Sequence, residues 1–336
     1  MRAASPLRLI RKYLSIIATI LLFVLAFVAA SLKYKGFGTL QVFFNMLIDN
    51  SFIIISAVGV TFVIISGNID LSMGAMIAFT SMLAAALTEN LHVNPLLTIA
   101  IVIAVGALIG TALGAIITFF KVPPFIATLA GMFMARGLCF LISIEAISIN
   151  DPFFRAVSLY RIHLFGKAFI SINVVIMLVV VLAAIYLAHF TRFGRTVYAI
   201  GGNEQSAMLM GLPVNRTKVL VYTLNGICSA VAGITYAFYM LSGYGLNANG
   251  FELDIISSVV IGGTPLSGGS GYLVGTVFGV LIQGIIQNVI AFNGTLNSWW
   301  TRIIVGLLTL MFIVMQRAFS AIKRKGSTST FEMKSE

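Results

Sequence analysis

Thr61-Phe62-Val63-Ile64-Ile65-Ser66-Gly67-Asn68-Ile69-Asp70-Leu71-Ser72-Met73-Gly74 is an apolar run that stops at a short polar break and then resumes. The left arm reaches back to about residue 42 and the right arm forward to about 88. Each arm is close to the roughly 20 apolar residues that cross a bilayer as a helix. A carboxylate inside such a break is costly in lipid. It is tolerated where the backbone is buried in protein or lines a cavity. Asp70 and Ser72 therefore read in two ways: as caps for the helix that follows, near its positive dipole end, or as part of a transport path.

Working outward, the same apolar pattern fills the chain. Of 336 residues, 59% are hydrophobic and 9% charged, with mean hydropathy +1.04. A soluble domain carries about 25% charged residues. This balance excludes a soluble enzyme, a nucleic-acid-binding domain and a disordered chain. Long unbroken runs also exclude a β-barrel, whose strands alternate. The pattern predicts an all-α polytopic membrane protein with about ten transmembrane helices, some of them broken. The spans fall near 14–32, 42–66, 70–88, 95–118, 124–144, 168–190, 217–241, 253–270, 272–292 and 299–320. The first is longer than a signal-peptide core and is read as an uncleaved span.

Residues 1–13 and 321–336 flank the membrane domain, the latter as a polar tail expected to be disordered from Gly326. Ten spans put both termini on one side. That side holds fourteen Lys and Arg against five opposite, so the net charge of +11 reflects cytoplasmic loops and places both termini in the cytoplasm. Trp299 and Trp300 belong at the outer interface. Cys139 and Cys228 sit in apolar runs and read as small buried hydrophobes.

A weak internal repeat pairs 67–74 with 262–269 at an offset of 195, matching Gly67/Gly262, Leu71/Leu266, Ser72/Ser267 and Gly74/Gly269. The topology gives both copies the same orientation.

Polar groups recur on the spans. Asn45 and Asp49 are four apart, as are Gln283 and Gln287, with Asn288 beside them. Residues four apart share a helix face. They are read either as hydrogen-bonding glue between helices or as a hydrophilic lane for a polyol. Arg136, deep in the fifth span, needs a partner. Asp70, Asp49 and Glu145 are the candidates for a structural ion pair.

The longest inner loop, 191–217, is polar and basic. Gly201-Gly202-Asn203 supplies a turn, and Glu204 to Met210 reads as a short helix that Asn203 caps and Gly211 and Pro213 stop. Small residues Ser206 and Ala207 would let a soluble partner approach closely. The plainer alternative is a basic connector. No phosphate-binding loop, catalytic triad or metal-spaced Cys/His set appears, and His92, His163 and His189 are scattered. An enzyme is not expected, and neither is a directly bound cofactor or metal.

Three motifs carry a resemblance. The opening stretch is similar to the T-F-V-I-x-x-G-G-I-D-L-S-V-G pattern of the permease subunits of bacterial ribose-type sugar ABC importers, with Asn68 for the second glycine and Met73 for the valine. The G-R-x-x-Y-A-I-G-G-N loop of that family appears at Gly194 to Asn203, and S-x-V-I-G-G-T-x-L-x-G-G at Ser258 to Gly269. The resemblance covers about residues 40–318. Ile126 to Phe133 and Phe292 to Trp300 add a likeness to permeases of galactofuranose importers.

The resemblance implies an inner-membrane permease for a monosaccharide, galactofuranose before ribose or another pentose or hexose. It implies a cytoplasmic ABC ATPase that hydrolyses ATP with Mg, a second related permease, and a periplasmic sugar-binding protein docking on 145–167 and 242–252. Gly201, Gly202, Asn203, Glu204, Ser206, Ala207 and Gly211 would couple to the ATPase. The path would use Asn45, Asp49, Asp70, Ser72, Gln283, Gln287 and Asn288. The rivals are an ATP-independent secondary transporter with Asp70 and Arg136 as coupling groups, and a purely structural membrane subunit.

Overall fold

The computed structural model describes residues 6–166, 168–294 and 299–332. Lys167 and residues 295–298, the latter within the galactofuranose-like stretch, lie outside them.

The two arms of the opening stretch are α3 (Ser51–Ile65) and α4 (Met73–Ala85). Every residue of α3 is buried. A helix apolar all round has no face for water and belongs in the middle of a bundle. Before it, α2 (Leu40–Asp49) bends away by 57°. The bend falls at Asn50, whose side-chain amide donates to the Met46 carbonyl oxygen (2.9 Å) and so enters the helical ladder. Beyond α4 a π-helical turn, Ala86–Asn90, carries Glu89 to the end of the bundle expected to face outward, here the outer end, where its Oε1 accepts from the backbone N–H groups of Asn150 (2.6 Å) and Asp151 (2.8 Å).

The remaining helices surround this centre. α1 (Pro6–Lys33) precedes it; α5 (Pro95–Phe119) and α6 (Pro124–Ile142) follow. A short strand β1 (Ile147–Ser148), helix α7 (Pro152–Leu159) and the hairpin β2 (Arg161–Phe165) with β3 (Ala168–Ser171) lead into α8 (Ile172–Phe190). Two short helices, α9 (Arg192–Gly202) and α10 (Glu204–Leu209), precede the long α11 (Val214–Met240). Strand β4 (Ser242–Gly243) then pairs antiparallel with β1, joining the two segments expected to be exposed outside. α12 (Phe251–Ile261), α13 (Leu273–Asn293) and α14 (Trp299–Glu332) complete the chain.

Six of the described helices are long and apolar enough to cross a membrane, seven when the bent α2–α3 pair counts as one. The ten expected segments all fall on helices, but three are short. The span expected at 253–270 departs most: α12 ends at Ile261 after eleven residues, and an irregular connection follows. Its glycines explain the early stop. At the other end of the chain, α14 keeps a helical backbone to Glu332, past the point where a disordered tail is expected.

The repeat is real in the backbone, with its register shifted by one residue. At the end of α3, Asn68 N–H donates to Val63 O and Gly67 N–H to Ile64 O; at the end of α12, Thr264 N–H donates to Val259 O and Gly263 N–H to Val260 O. These are two Schellman caps, each with a left-handed glycine (φ +82° at Gly67, +91° at Gly263). Gly67 therefore corresponds to Gly263 rather than Gly262. The helices run the same way: Phe52 stacks on Phe251 at their starts (5.8 Å), and Gly269 N–H bonds Ile65 O at their ends (2.8 Å).

α11 packs against α3, α4 and α5 through small residues. Gly106, Gly110 and Gly114 of α5 meet Gly226 and Tyr222 of α11 backbone to backbone, Gly59 of α3 lies against Asn225 and Cys228, and Gly233 lies against Thr80 of α4. Spacing of four puts such glycines on one stripe and lets helix axes approach closely in lipid. A methyl group on Gly110 would run into the Tyr222 carbonyl oxygen, whereas one on Gly137 meets nothing within 4 Å. Gly110→Val should therefore cost about 1–3 kcal/mol or more through overpacking, and Gly137→Ala should leave stability unchanged or raised. Thermal unfolding in lipid nanodiscs checks this; equal melting of the two variants would contradict the packing described.

Candidate functional site

The end of the bundle expected to face the cytoplasm, here the inner end, is built around α9 and α10. Thr191 caps α9 by accepting from Gly194 N–H (3.2 Å). Gly201 and Gly202 form the last turn of α9, so the turn expected there is helix. The reason is packing: Gly201 lies directly against the Ile65 carbonyl and Gly269 N–H, and Gly269 approaches Gly202 in turn. Any side chain at Gly201 would force α9 off the end of α3 and the Gly269 segment. Tyr198 on the same helix donates its hydroxyl to Gly271 O (2.7 Å), and burial pushes its phenol up to about 12. A cavity of about 450 Å³ opens beside it, walled by His189, Tyr198, Tyr272 and the Gly269–Gly271 backbone.

α10 matches its expected limits closely. Asn203 Oδ1 accepts from Ser206 N–H (2.8 Å). Gly211, at φ +74°, ends the helix with Leu212 N–H on Ala207 O and Gly211 N–H on Met208 O, a third Schellman cap. Glu204 bonds Lys218 Nζ at 2.9 and 3.0 Å, tying α10 to the start of α11. The small-residue expectation needs correcting at Ala207. Ser206 is exposed, but Ala207 is fully buried with Ile200 and Val214. It holds α10 down instead of offering a close approach. What α10 offers outward is Met208, Leu209 and Met210, with Leu209 89% exposed. The sequence carried that signal as three consecutive apolar residues inside a polar loop.

Asp70 lies at this same inner end. Its Oδ1 accepts from Ser72 N–H (2.7 Å) and Ser72 Oγ–H (2.6 Å), and its Oδ2 from the Asn225 amide (2.8 Å). Asp70 is 3% exposed. This is an Asx turn just ahead of α4 and not the expected helix cap: Asp70 accepts from Ser72, the N-cap residue, whose own side chain accepts from no first-turn N–H. Asn225 was not expected; a lone amide among small residues in the 217–241 run was its only trace.

Asp49 precedes α3 and Asp70 follows it, so a helix of fifteen residues, roughly 22 Å long, separates them. The expected path residues thus form two groups. At the outer end, Asp49 accepts from the Tyr239 hydroxyl (3.1 Å). Exposed Asn45 accepts from the Gln41 amide (2.7 Å), whose own oxygen takes Phe169 N–H (2.9 Å). Gln283 is buried and donates to Asp254 O (3.0 Å), so it acts as glue. Gln287 is exposed and Asn288 partly so.

Arg136 is also corrected. Its partners are not Asp70, Asp49 or Glu145 but the carbonyl oxygens of Gly245 (2.7 Å) and Asn247 (2.6 Å), with Glu252 the carboxylate acting on its charge. It pins the outer turn after β4. Among the described residues the recorded ion pair is Lys218–Glu204.

Asp70→Ala should strand the Asn225 amide and the Ser72 donors and cost about 2–4 kcal/mol, with Asp70→Asn milder. Melting in nanodiscs reads this. An Asp70→Asn variant of normal stability that no longer transports would assign Asp70 to the path instead.

The chain matches, over residues 42–314, a family described as a branched-chain amino acid transport system / permease component. It is 45% identical over 314 residues to the inner membrane ABC transporter permease protein YjfF of Escherichia coli (strain K12), covering 94% of this chain and 95% of that one. It is 37% identical over 321 residues to the fructose import permease protein FruG of Bifidobacterium longum (strain NCC 2705), 94% of each. With the ribose import permease protein RbsC of Escherichia coli (strain K12) it shares 37% over 297 residues, 88% of this chain and 91% of the relative. No solved structure matches it. With spans of this kind, a capped inner helix and these likenesses, the chain belongs to the family of multi-pass permease components of ABC transporters.

Proposed function

We propose that this chain is one of two membrane-spanning subunits of an ATP-driven importer that moves a monosaccharide across the inner membrane. The observation that carries the reading is α10. It is a helix capped at both ends, held down by Ala207, tied to α11 by Glu204–Lys218, and open to the cytoplasm through Met208, Leu209 and Met210. An exposed apolar patch on a polar inner loop suits a soluble partner, and the partner is the ABC ATPase, which hydrolyses ATP with Mg. Nucleotide-driven closure pushes α10. Through Gly201 and Tyr198 the push reaches the turns that end α3 and α12, and access alternates between the two faces.

The names of the ribose and fructose relatives support a sugar as cargo. The likeness at Ile126–Phe133 favours galactofuranose, with ribose or another pentose or hexose as the alternative. The excess of basic residues supports cytoplasmic termini. A second, related permease completes the path, and a periplasmic binding protein delivers sugar to α7, the β2–β3 hairpin and the β4 turn.

The test is uptake by the assembled transporter in proteoliposomes. Leu209→Asp should leave melting within about 0.5 kcal/mol, as surface changes do, while cutting ATP-driven uptake at least tenfold. Undiminished uptake would refute the docking role. Ala207→Arg should instead unfold the α9–α10 corner, because it buries a charge. Competition among radiolabelled galactofuranose, ribose and fructose identifies the cargo; inhibition by none of them refutes the sugar assignment.

A further inference from the structure

At the outer end a second cavity, of about 210 Å³, lies where the end of α2, the α7–β2 corner, β3, the start of α8 and the end of α11 meet. Its wall is mixed. Tyr160, Phe169 and Tyr239 supply rings, and Arg161, Ser171 and Asn173 supply hydrogen-bonding groups. Ser171 stands at the N-cap of α8, where a serine side chain ordinarily accepts from the first-turn N–H groups. Here it makes no such bond. Its Oγ is sealed from solvent and has no hydrogen-bond partner among the described residues. That hydroxyl is out of reach of a ligand in the cavity, and the groups left to meet one are the Tyr239 hydroxyl, the Arg161 guanidinium and the Asn173 side chain.

The neighbouring groups are already oriented. The Tyr239 hydroxyl donates to Asp49 (3.1 Å), which leaves its oxygen to accept from a ligand. The Arg161 guanidinium lies 4.5 Å from the centre of the Phe169 ring, which fixes its plane while its N–H groups stay available. The Phe169 backbone is held by Gln41, and Gln41 bonds Asn45, so the cavity joins the exposed polar edge of α2. No carboxylate lines it, which argues against a metal cation. The volume equals about seven waters at 30 Å³ each, room for one sugar ring and not two.

We propose that this cavity is a subsite, within the single permease chain, for one neutral monosaccharide, its hydroxyls held by Tyr239, Arg161 and Asn173. It rests on the sugar-import reading and adds where the sugar first meets this chain after leaving the binding protein. Affinity is expected in the millimolar range, since a tight site would slow release.

The experiment uses the assembled transporter in nanodiscs, with the imported sugar first identified by uptake into proteoliposomes from D-ribose, D-fructose and D-galactose. Cys139 and Cys228 are buried, so a Ser158→Cys variant, at a partly exposed position on the cavity wall, offers this chain one reactive thiol for a water-soluble maleimide. The imported sugar, at high millimolar concentration and without binding protein, should slow labelling at least fivefold in a saturable way, and a sugar that is not imported should not. Hydrogen exchange of the wild-type transporter gives a readout free of any variant: the same sugar should slow exchange in residues 160–173 and 236–241. If a sugar is imported but neither labelling nor exchange responds, the subsite is overturned and the import reading stands. If no sugar is imported and none protects, both fall.

Discussion

A helix leaves its last carbonyl groups without intrahelical partners, and the architecture here turns on how the one at Ile65 is satisfied. It accepts from Gly269 N–H at 2.8 Å, and Gly201 lies against the same oxygen. One acceptor at the end of the fully buried α3 thus joins the turn after α12 and the helix that precedes α10. Side chains at Gly201, Gly268 or Gly269 would separate these segments. Three glycines from two distant stretches of sequence are therefore needed for one hydrogen bond and the contact around it. The inner end of α1 joins the same layer, with the Thr19 hydroxyl donating to Ile261 O (2.8 Å).

The outer end is organised on a different principle. There the chain is irregular, and charged groups hold backbone rather than each other. Arg136 takes two carbonyl oxygens after β4, and Glu89 takes two N–H groups before α7. Each satisfies polar backbone that short strands and turns leave over. Between the two ends, α5, α6 and α8 turn large side chains outward, among them Leu108, Phe133 and Leu182. In water such faces would be a liability; in a bilayer they suit lipid.

Local signals in the sequence were legible and non-local ones were not. The limits of α10 could be read because Asn203 and Gly211 act on their own neighbours. The helix class of the whole chain followed from composition, whereas Asp70 and Ser72 were read as helix caps and instead bond each other ahead of α4. The burial of Ala207 could not be read, since it depends on Ile200 and Val214 folding over it. The helical state of Gly201 and Gly202 was hidden for a similar reason: glycine pairs ordinarily mark turns, and here close packing reverses that preference. Arg136 was assigned to carboxylates because charge is visible in sequence and free carbonyl oxygens are not. The repeat was found one residue out of register because identities were aligned, while the backbone aligns the left-handed glycines.

The two repeat turns share their caps but not their length. Seven residues, Ser66 to Ser72, join α3 to α4, whereas eleven, Gly262 to Tyr272, join α12 to α13. The shorter link is braced throughout by Asp70, Ser72 and Asn225. The longer one holds four of the chain's left-handed glycines, at 263, 268, 269 and 271. The two turns are thus fastened differently: the first by a carboxylate of its own, the second by groups on neighbouring helices, where Gly269 meets Ile65 of α3 and Gly271 meets Tyr198 of α9.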